Sequence, residues 1–339
     1  MTARVLSPTD QALSQAAAIL QQGGLVAFPT ETVYGLGADA LNPRAVARIF
    51  DVKQRPQFDP LIVHVAREEQ LGELADAGSE TVKALAKAFW PGPLTLVLPR
   101  KKAVPDIVTA GLPTVAVRMP NHGVALRLIE LARCPIAAPS ANPFGRISPT
   151  TAAHVANFLG DQLEMIIDGG PCTMGVESTI LSLVDEARPL LLRPGALPVE
   201  DLRRIVGEIH LPNPAQHSVA APGMLPGHYA PRTPIRIFSD EVPCDILPGE
   251  KRIGMLAFTP PAAGGTFQAM EVLSSAGDLK EAAANLFAAL HHLDEAGLDV
   301  ILAQRVPNRG VGIAINDRLT RAAHRGQGGC HAHRTEPNR

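Results

Sequence analysis

A chain of 339 residues with 46% hydrophobic and 19% charged side chains has ordinary globular composition and length for one large or two medium domains, which excludes disordered and fibrous classes. Lys and Arg number 31 against 33 Asp and Glu, a net charge of -2, so the overall basic excess that would hold nucleic acid nonspecifically is missing and any polyanion site has to be local. Cys134, Cys172, Cys244 and Cys330 lie far apart with no Cys-x-x-Cys pair, the N-terminal MTARVLSPTDQ has no apolar signal core, and no stretch approaches the roughly 18 apolar residues of a membrane helix; the expectation is a cytoplasmic protein with no membrane contact, zinc ribbon or disulfide framework.

In chain order, Leu13, Ala16, Ala17 and Leu20 recur at helical spacing ahead of Gly23 and Gly24, and 25–28 follows as a short buried strand stopped by Pro29. The patterning then predicts a helix near 43–52, a strand at 61–65, helices through 68–89, strands at 94–98 and 114–117, a helix at 123–132 and a strand before Pro139. A helix at 150–159, strands near 164–168, 178–184 and 189–193, and a short helix at 199–206 complete a first α/β domain over 1–206, whose adjacent late strands imply a mixed sheet. Pro212, Pro214, Pro222, Pro226, Pro231 and Pro234 remove backbone donors too often for helix or central strand, so 207–234 reads as a proline-rich linker, by default a passive spacer. Strands at 235–238, 253–258 and 300–304, a helix over 279–293 and a closing helix over about 311–324 predict a smaller α/β domain over 235–325. The tail, 326–339, has no periodicity and is expected to be disordered; no internal repeat is present.

The polar residue types that carry chemistry cluster in the first domain, at the ends of its predicted strands. Phe28 to Gly37, FPTETVYGLG, follows a buried strand directly, where open α/β sheets bind ligands; a tight turn needing Gly35 and Gly37 is the competing explanation. Lys53 and Arg55 close a predicted helix, where the macrodipole favours cations and a solvated pair accounts for them on charge alone. Arg118 and Arg193 each end an apolar strand, positions that suit bidentate recognition of phosphate or carboxylate, or else a surface arginine after an edge strand. Ser140 and Asn142 in PSANP follow another strand with accessible backbone N–H groups, Thr150 or Thr151 is a helix cap, and Ser178 is the most polar small donor of GVEST. His64 interrupts an apolar strand, where a histidine is more often structural than catalytic. The Walker sequence, G-x-G-x-x-G, G-x-S-x-G and H-E-x-x-H are all missing, and dispersed cations with hydroxyls suit positioning and charge neutralisation, as in nucleotidyl transfer, better than covalent catalysis.

These residues resemble the YrdC-like family of threonylcarbamoyl-AMP synthases in its long form: FPTETVYGLG at 28–37, Lys53-x-Arg55-Pro56 leading to PLIVH at 60–64, WPGPLT at 90–95, VRMP at 117–120, APSAN at 138–142, GVEST at 175–179 and LRPG at 192–195. Pro222-Gly223-Met224 with HYAP at 228–231 resembles the long form's linker, and GIAINDRL at 312–319 the end of its second domain, so the likeness runs from about residue 10 to 325. The resemblance implies a YrdC-like mixed twisted sheet with helices plus a smaller Rossmann-like C-terminal α/β domain. It implies an enzyme that joins L-threonine, bicarbonate and ATP into threonylcarbamoyl-adenylate and pyrophosphate, ahead of the machinery that modifies transfer RNA, with Mg2+ travelling on ATP. By motif position Thr32, His64, Arg118, Ala138 and Ser178 would surround L-threonine, with Arg118 on its carboxylate. Lys53, Arg55, Asp59, Thr114, Ser140, Asn142, Ser148, Arg193 and Tyr229 would surround ATP, the last within a linker that becomes a lid excluding water from a hydrolysable anhydride. Asp59 stands where the family pattern has asparagine, and a carboxylate beside a triphosphate is unfavourable unless it faces a cation. A non-catalytic RNA-binding relative is opposed by the near-neutral charge, and carbamoyl transfer of the hydrogenase-maturation type by the missing Cys-x-x-Cys pairs.

Overall fold

The computed structural model describes residues 3–212, 222–223, 227–239, 252–261 and 267–324. Met224, much of the proline-rich segment and the tail expected to be disordered lie outside these residues. The elements in chain order are β1 (Arg4–Leu6), α1 (Asp10–Gln21), β2 (Val26–Phe28), β3 (Gly35–Asp39), α2 (Pro43–Lys53), β4 (Ile62–His64), α3 (Glu69–Leu74), α4 (Glu80–Phe89), β5 (Leu94–Pro99), α5 (Asp106–Thr109), β6 (Thr114–Arg118), α6 (Gly123–Ala132) and β7 (Ile136–Ala137). They continue with α7 (Ala152–Leu159), β8 (Met165–Ile167), β9 (Thr179–Ser182), β10 (Leu190–Arg193), α8 (Val199–Val206), β11 (Ile235–Phe238), β12 (Ile253–Ala257), β13 (Ala269–Val272), α9 (Leu279–Glu295), β14 (Val300–Gln304) and α10 (Gly312–Ala323).

The apolar stripe of α1 buries Leu13, Ala16, Ala17 and Leu20, and Thr9 caps the helix by accepting from the Ala12 amide. Asn42 caps α2, with Pro43 in its first turn, and Thr151 caps α7. Ten strands form one mixed sheet in the order β1-β8-β2-β3-β7-β4-β6-β5-β9-β10, and four parallel strands form a second in the order β11-β14-β12-β13. The smaller sheet with α9 and α10 is the second α/β unit expected from the sequence. No helix among the described residues is long and apolar enough to cross a membrane.

Several expectations change. The stretch from Gly35 is not a turn after a strand: it is β3, paired antiparallel to β2, and Gly37 is required because a Cβ there would sit 2.7 Å from the Phe28 ring. Neither β1 nor β13 was predicted, because Arg4–Leu6 is half exposed and Ala269–Val272 lacks alternation. The two units also share a core, since Val33, Ile147, Val176 and Tyr229 pack in one cluster with Leu286, Phe287 and Leu290 of α9.

Candidate active site

Parallel pairing of β4 with β6 places His64 directly beside Arg118 at the carboxyl ends of two central strands. Ala138 follows β7, Ser178 precedes β9 and Arg193 ends β10, and Thr32 comes from the turn between β2 and β3. All six line one cavity, together with Arg55, Ser140, Glu177, Gly223, His228 and Tyr229.

At one end, Arg118 is buried with three kinds of partner: Nη2 lies 2.6 Å from Glu31 Oε1, Nη1 donates to Thr32 Oγ1 at 3.0 Å, and Nε donates to the Gly92 carbonyl at 3.2 Å. Thr30 Oγ1 is 2.9 Å from Thr32 Oγ1, and Ser178 Oγ is 2.7 Å from Thr95 Oγ1. Among the described residues neither Glu31 oxygen has a hydrogen bond of good geometry, so the ion pair is an electrostatic contact with capacity left over. His64 is buried and pushed down to about 3, first by desolvation and then by the Arg118 charge. Its imidazole is therefore neutral, and Nδ1 has no partner among the described residues.

At the other end, Arg55 donates from Nε to the Asp59 carbonyl at 3.0 Å and from Nη2 to the Pro60 carbonyl at 2.8 Å, while Nη2 lies 2.9 Å from Asp59 Oδ1. Burial raises the Asp59 carboxyl although the Arg55 charge opposes it. Arg193 Nη2 donates to the Ser178 carbonyl at 2.9 Å, and Nη1 to the Pro222 carbonyl at 3.1 Å. Tyr229, at φ 65, is buried over this end, and a Cβ on Gly223 would stand 2.5 Å from its hydroxyl, so only glycine lets the chain pass there. His228 lies edge-on to Phe144 with ring centroids 4.7 Å apart, and burial with the Arg55 and Lys53 charges lowers it to about 3.

The sequence-predicted residues separate into lining and supporting positions. Lys53 is not part of a solvated pair: its Nζ is buried and donates to the Ser140 and Asn142 carbonyls, both at 2.5 Å, holding the loop after β7. Burial and the neighbouring Arg55 lower its amine well below the ordinary value. Asn142 Nδ2 braces the Arg146 carbonyl at 2.9 Å, and Ser148 Oγ donates to Glu177 Oε1 at 2.6 Å, so both stand behind the wall. Thr114 opens β6, four residues before Arg118 and outside the lining. Arg118 and Arg193 are not surface arginines, and Asp59 does face a cation. Reading by residue type did not single out Glu31 and Glu177, which lie inside motifs chosen for their hydroxyls.

The arrangement can fix two anionic groups by guanidinium and hydroxyl contacts, with a neutral imidazole between strands. Among the described residues no three His, Cys, Asp or Glu side chains gather to hold a metal. Burial pushes the Cys172 thiol up to about 12, which leaves it unreactive.

Comparison with known proteins gives two family matches: the Sua5/YciO/YrdC family, described as telomere recombination, over residues 18–195, and the threonylcarbamoyl-AMP synthase C-terminal domain over 197–324. The chain is 47% identical over 323 residues to the threonylcarbamoyl-AMP synthase of Pyrococcus abyssi, covering 91% of this chain and 93% of that protein. It is 45% identical to the Bacillus subtilis protein of the same name, covering 94% of each. A crystal structure of Pyrococcus abyssi Sua5 complexed with L-threonine superposes with a TM-score of 0.86 at 44% identity, covering 95% of this chain and 97% of that one.

Proposed function

The chain belongs to the threonylcarbamoyl-AMP synthase family in its two-domain form, and on that premise we propose that it makes threonylcarbamoyl-adenylate from L-threonine, bicarbonate and ATP by nucleotidyl transfer, releasing pyrophosphate. The observation that carries the reading is one cavity holding Arg118 at one end and Arg55 with Arg193 at the other, all delivered by strand ends or the loop after α2. A threonine carbamate attacking the α-phosphate brings two anions together, and the barrier falls when cations hold both in line.

In this reading the substrate carboxylate replaces Glu31 on Arg118, and Thr32, His64, Ala138 and Ser178 take the rest of L-threonine. Neutral His64 can hydrogen-bond the hydroxyl without adding charge. Arg55, Ser140, Arg193 and Tyr229 meet the nucleotide, with Lys53, Asn142 and Ser148 fixing the loops that carry them. Thr114 and Asp59 would act at the margin of the nucleotide site. Mg2+ enters as part of the ATP substrate, neutralising triphosphate charge, and no step is assigned to it on the protein. His228 and Tyr229 roof the cavity and shield the mixed anhydride from water until the enzymes that transfer the group to transfer RNA consume it.

The test is pyrophosphate release from ATP with L-threonine and bicarbonate omitted in turn, beside an Arg55→Ala protein. Release that needs both substrates and is lost in the variant is the expected result; release indifferent to threonine overturns the reading. Tyr229→Ala is expected to shorten the lifetime of the adenylate, and an unchanged lifetime removes the roof role.

A further inference from the structure

The motif ending the second unit, GIAINDRL, is not used by the chemistry above, yet it holds Arg318, the largest fully buried side chain described. Arg318 is 0% exposed and does not line the cavity. Its Nε donates to Glu177 Oε2 at 2.7 Å, Nη1 to Asp317 Oδ2 at 2.6 Å, and Nη2 to the Pro194 carbonyl at 3.0 Å. The guanidinium carbon also lies 4.9 Å above the Tyr229 ring, whose stacking partner is Phe287 of α9 at 5.7 Å between centroids. One side chain of α10 thus touches three segments at the Tyr229 end of the cavity: the loop bearing Glu177, the residue after Arg193, and the linker.

Glu177 passes the contact on, because its other oxygen accepts from Ser148 Oγ at 2.6 Å. Burial works against the Glu177 charge, and Arg318 with Arg193 outweighs it, holding the carboxyl below its ordinary value. The loop is seated against the second unit closely enough that a Cβ on Gly175 would fall 2.3 Å from the Ala283 carbonyl oxygen of α9. Ser178, one residue on, is held from the ten-stranded sheet: by Thr95, by the Thr179 amide bond to the Pro93 carbonyl, and by Arg193 of β10, whose Nη2 donates to the Ser178 carbonyl at 2.9 Å and to Ser178 Oγ at 3.2 Å. A buried arginine with every nitrogen engaged is a planar joint that lysine cannot reproduce.

We propose that Arg318 is a positioning residue through which the second domain sets Glu177 and Tyr229, so that this domain completes the nucleotide end of the site and leaves the threonine end untouched. The inference rests on the functional reading above for which ligand each end takes. Removing the fork takes the ion-pair partner from buried Glu177, leaving it the Ser148 hydrogen bond, so the loop and the tyrosine relax together.

The experiment measures ATP and L-threonine binding separately by calorimetry on the full chain, alongside amide hydrogen exchange without ligands. Arg318→Met is expected to weaken ATP about tenfold or more and to leave L-threonine within about threefold. Glu177→Gln should reproduce the loss, and the double variant should be no worse than the worse single. In Arg318→Met, exchange should rise at 175–177 and 227–230 and stay unchanged at 30–32. Unchanged ATP affinity, parallel loss of both ligands, or multiplying losses in the double variant each overturn the proposal. If Arg318→Met does not fold, Arg318→Lys and Glu177→Gln are judged by the same criteria. If the unaltered protein binds no ATP, the functional reading fails and the exchange pattern alone decides the inference: selective deprotection supports it, and its absence overturns it.

Discussion

The two ends of the cavity are built differently. Around Arg118 the partners Glu31, Thr32 and Gly92 and the cross-strand neighbour His64 all come from the ten-stranded sheet and its loops, and strand register sets the spacing of His64 and Arg118. Around Tyr229 the wall is a joint product: Arg193 ends an edge strand, Tyr229 comes from the proline-rich segment, and Phe287 and Arg318 come from the second unit. Hydrogen-bonded strands set most of the first end, although Val33 beside Thr32 reaches the shared core, whereas the second is only as well formed as the packing between two cores. One fold therefore carries a preformed half-site and an assembled one, and the two should fail independently.

The sharpest break of that contrast is Arg118→Ala, which strips the buried guanidinium from Glu31 and, on the proposed function, from the substrate carboxylate. We expect kcat/KM for L-threonine to fall about 100-fold or more, with ATP binding within about threefold, as read by pyrophosphate release and calorimetry. Gly175→Ala attacks the assembled end: at φ 68 the new Cβ meets the Ala283 carbonyl at 2.3 Å, and we expect about 2–4 kcal/mol of lost stability in urea, with ATP weakened more than L-threonine. Gly170→Ala, at φ 83 with nothing within 4 Å, is the control and should cost about 1 kcal/mol.

A smaller effect follows from pH. His64, His228 and His291 are lowered to about 3 and His154 to about 4, in each case first by burial, from an ordinary value of 6.5. Between those values the unfolded chain binds more protons than the native one, so stability is full above pH 6.5 and is lost as the pH falls toward 3–4. Each histidine contributes up to about 1.4 kcal/mol per pH unit in that window. His154 and His291 stack 3.9 Å apart between α7 and α9, so His291→Gln should flatten the acid limb of a thermal-melt series, and chiefly spare the threonine end at pH 5. Least affected should be Asp59→Asn, which keeps an isosteric acceptor while freeing Arg55; ATP should tighten about two- to threefold, and a tenfold loss in titration would mean that Asp59 orients Arg55 instead.

Most of the preformed end was legible because strand periodicity and strand-end polarity are local signals. The run 114–117 followed by Arg118, and 61–65 broken by His64, put two residues on strands in the sequence, whereas their being neighbours came only with the register of β4 on β6. At the assembled end Arg193 was legible as a strand-end arginine, and Tyr229 only through motif likeness. Nothing local in HYAP or NDRL says that a tyrosine 89 positions before an arginine will lie under its guanidinium, since that contact depends on packing between units. The same limit hid β3, whose glycines read as a turn until the Phe28 ring they pack against is known, and made Lys53 look solvated when its helix end in fact points inward.

Arg118 and Arg55 each carry a tethered counterion, Glu31 and Asp59, both buried. On the proposed function, a ligand oxyanion entering this cavity would perform an exchange: it would take over a guanidinium from a carboxylate that is covalently present at high effective concentration. Chloride or free phosphate, held by one contact, competes poorly against such an intramolecular rival, while a ligand anchored at several points can win. The exchange also frees no mobile ions, so affinity should respond only weakly to ionic strength. If the proposed function holds, a cavity built this way would favour large, multiply anchored anions over small ones.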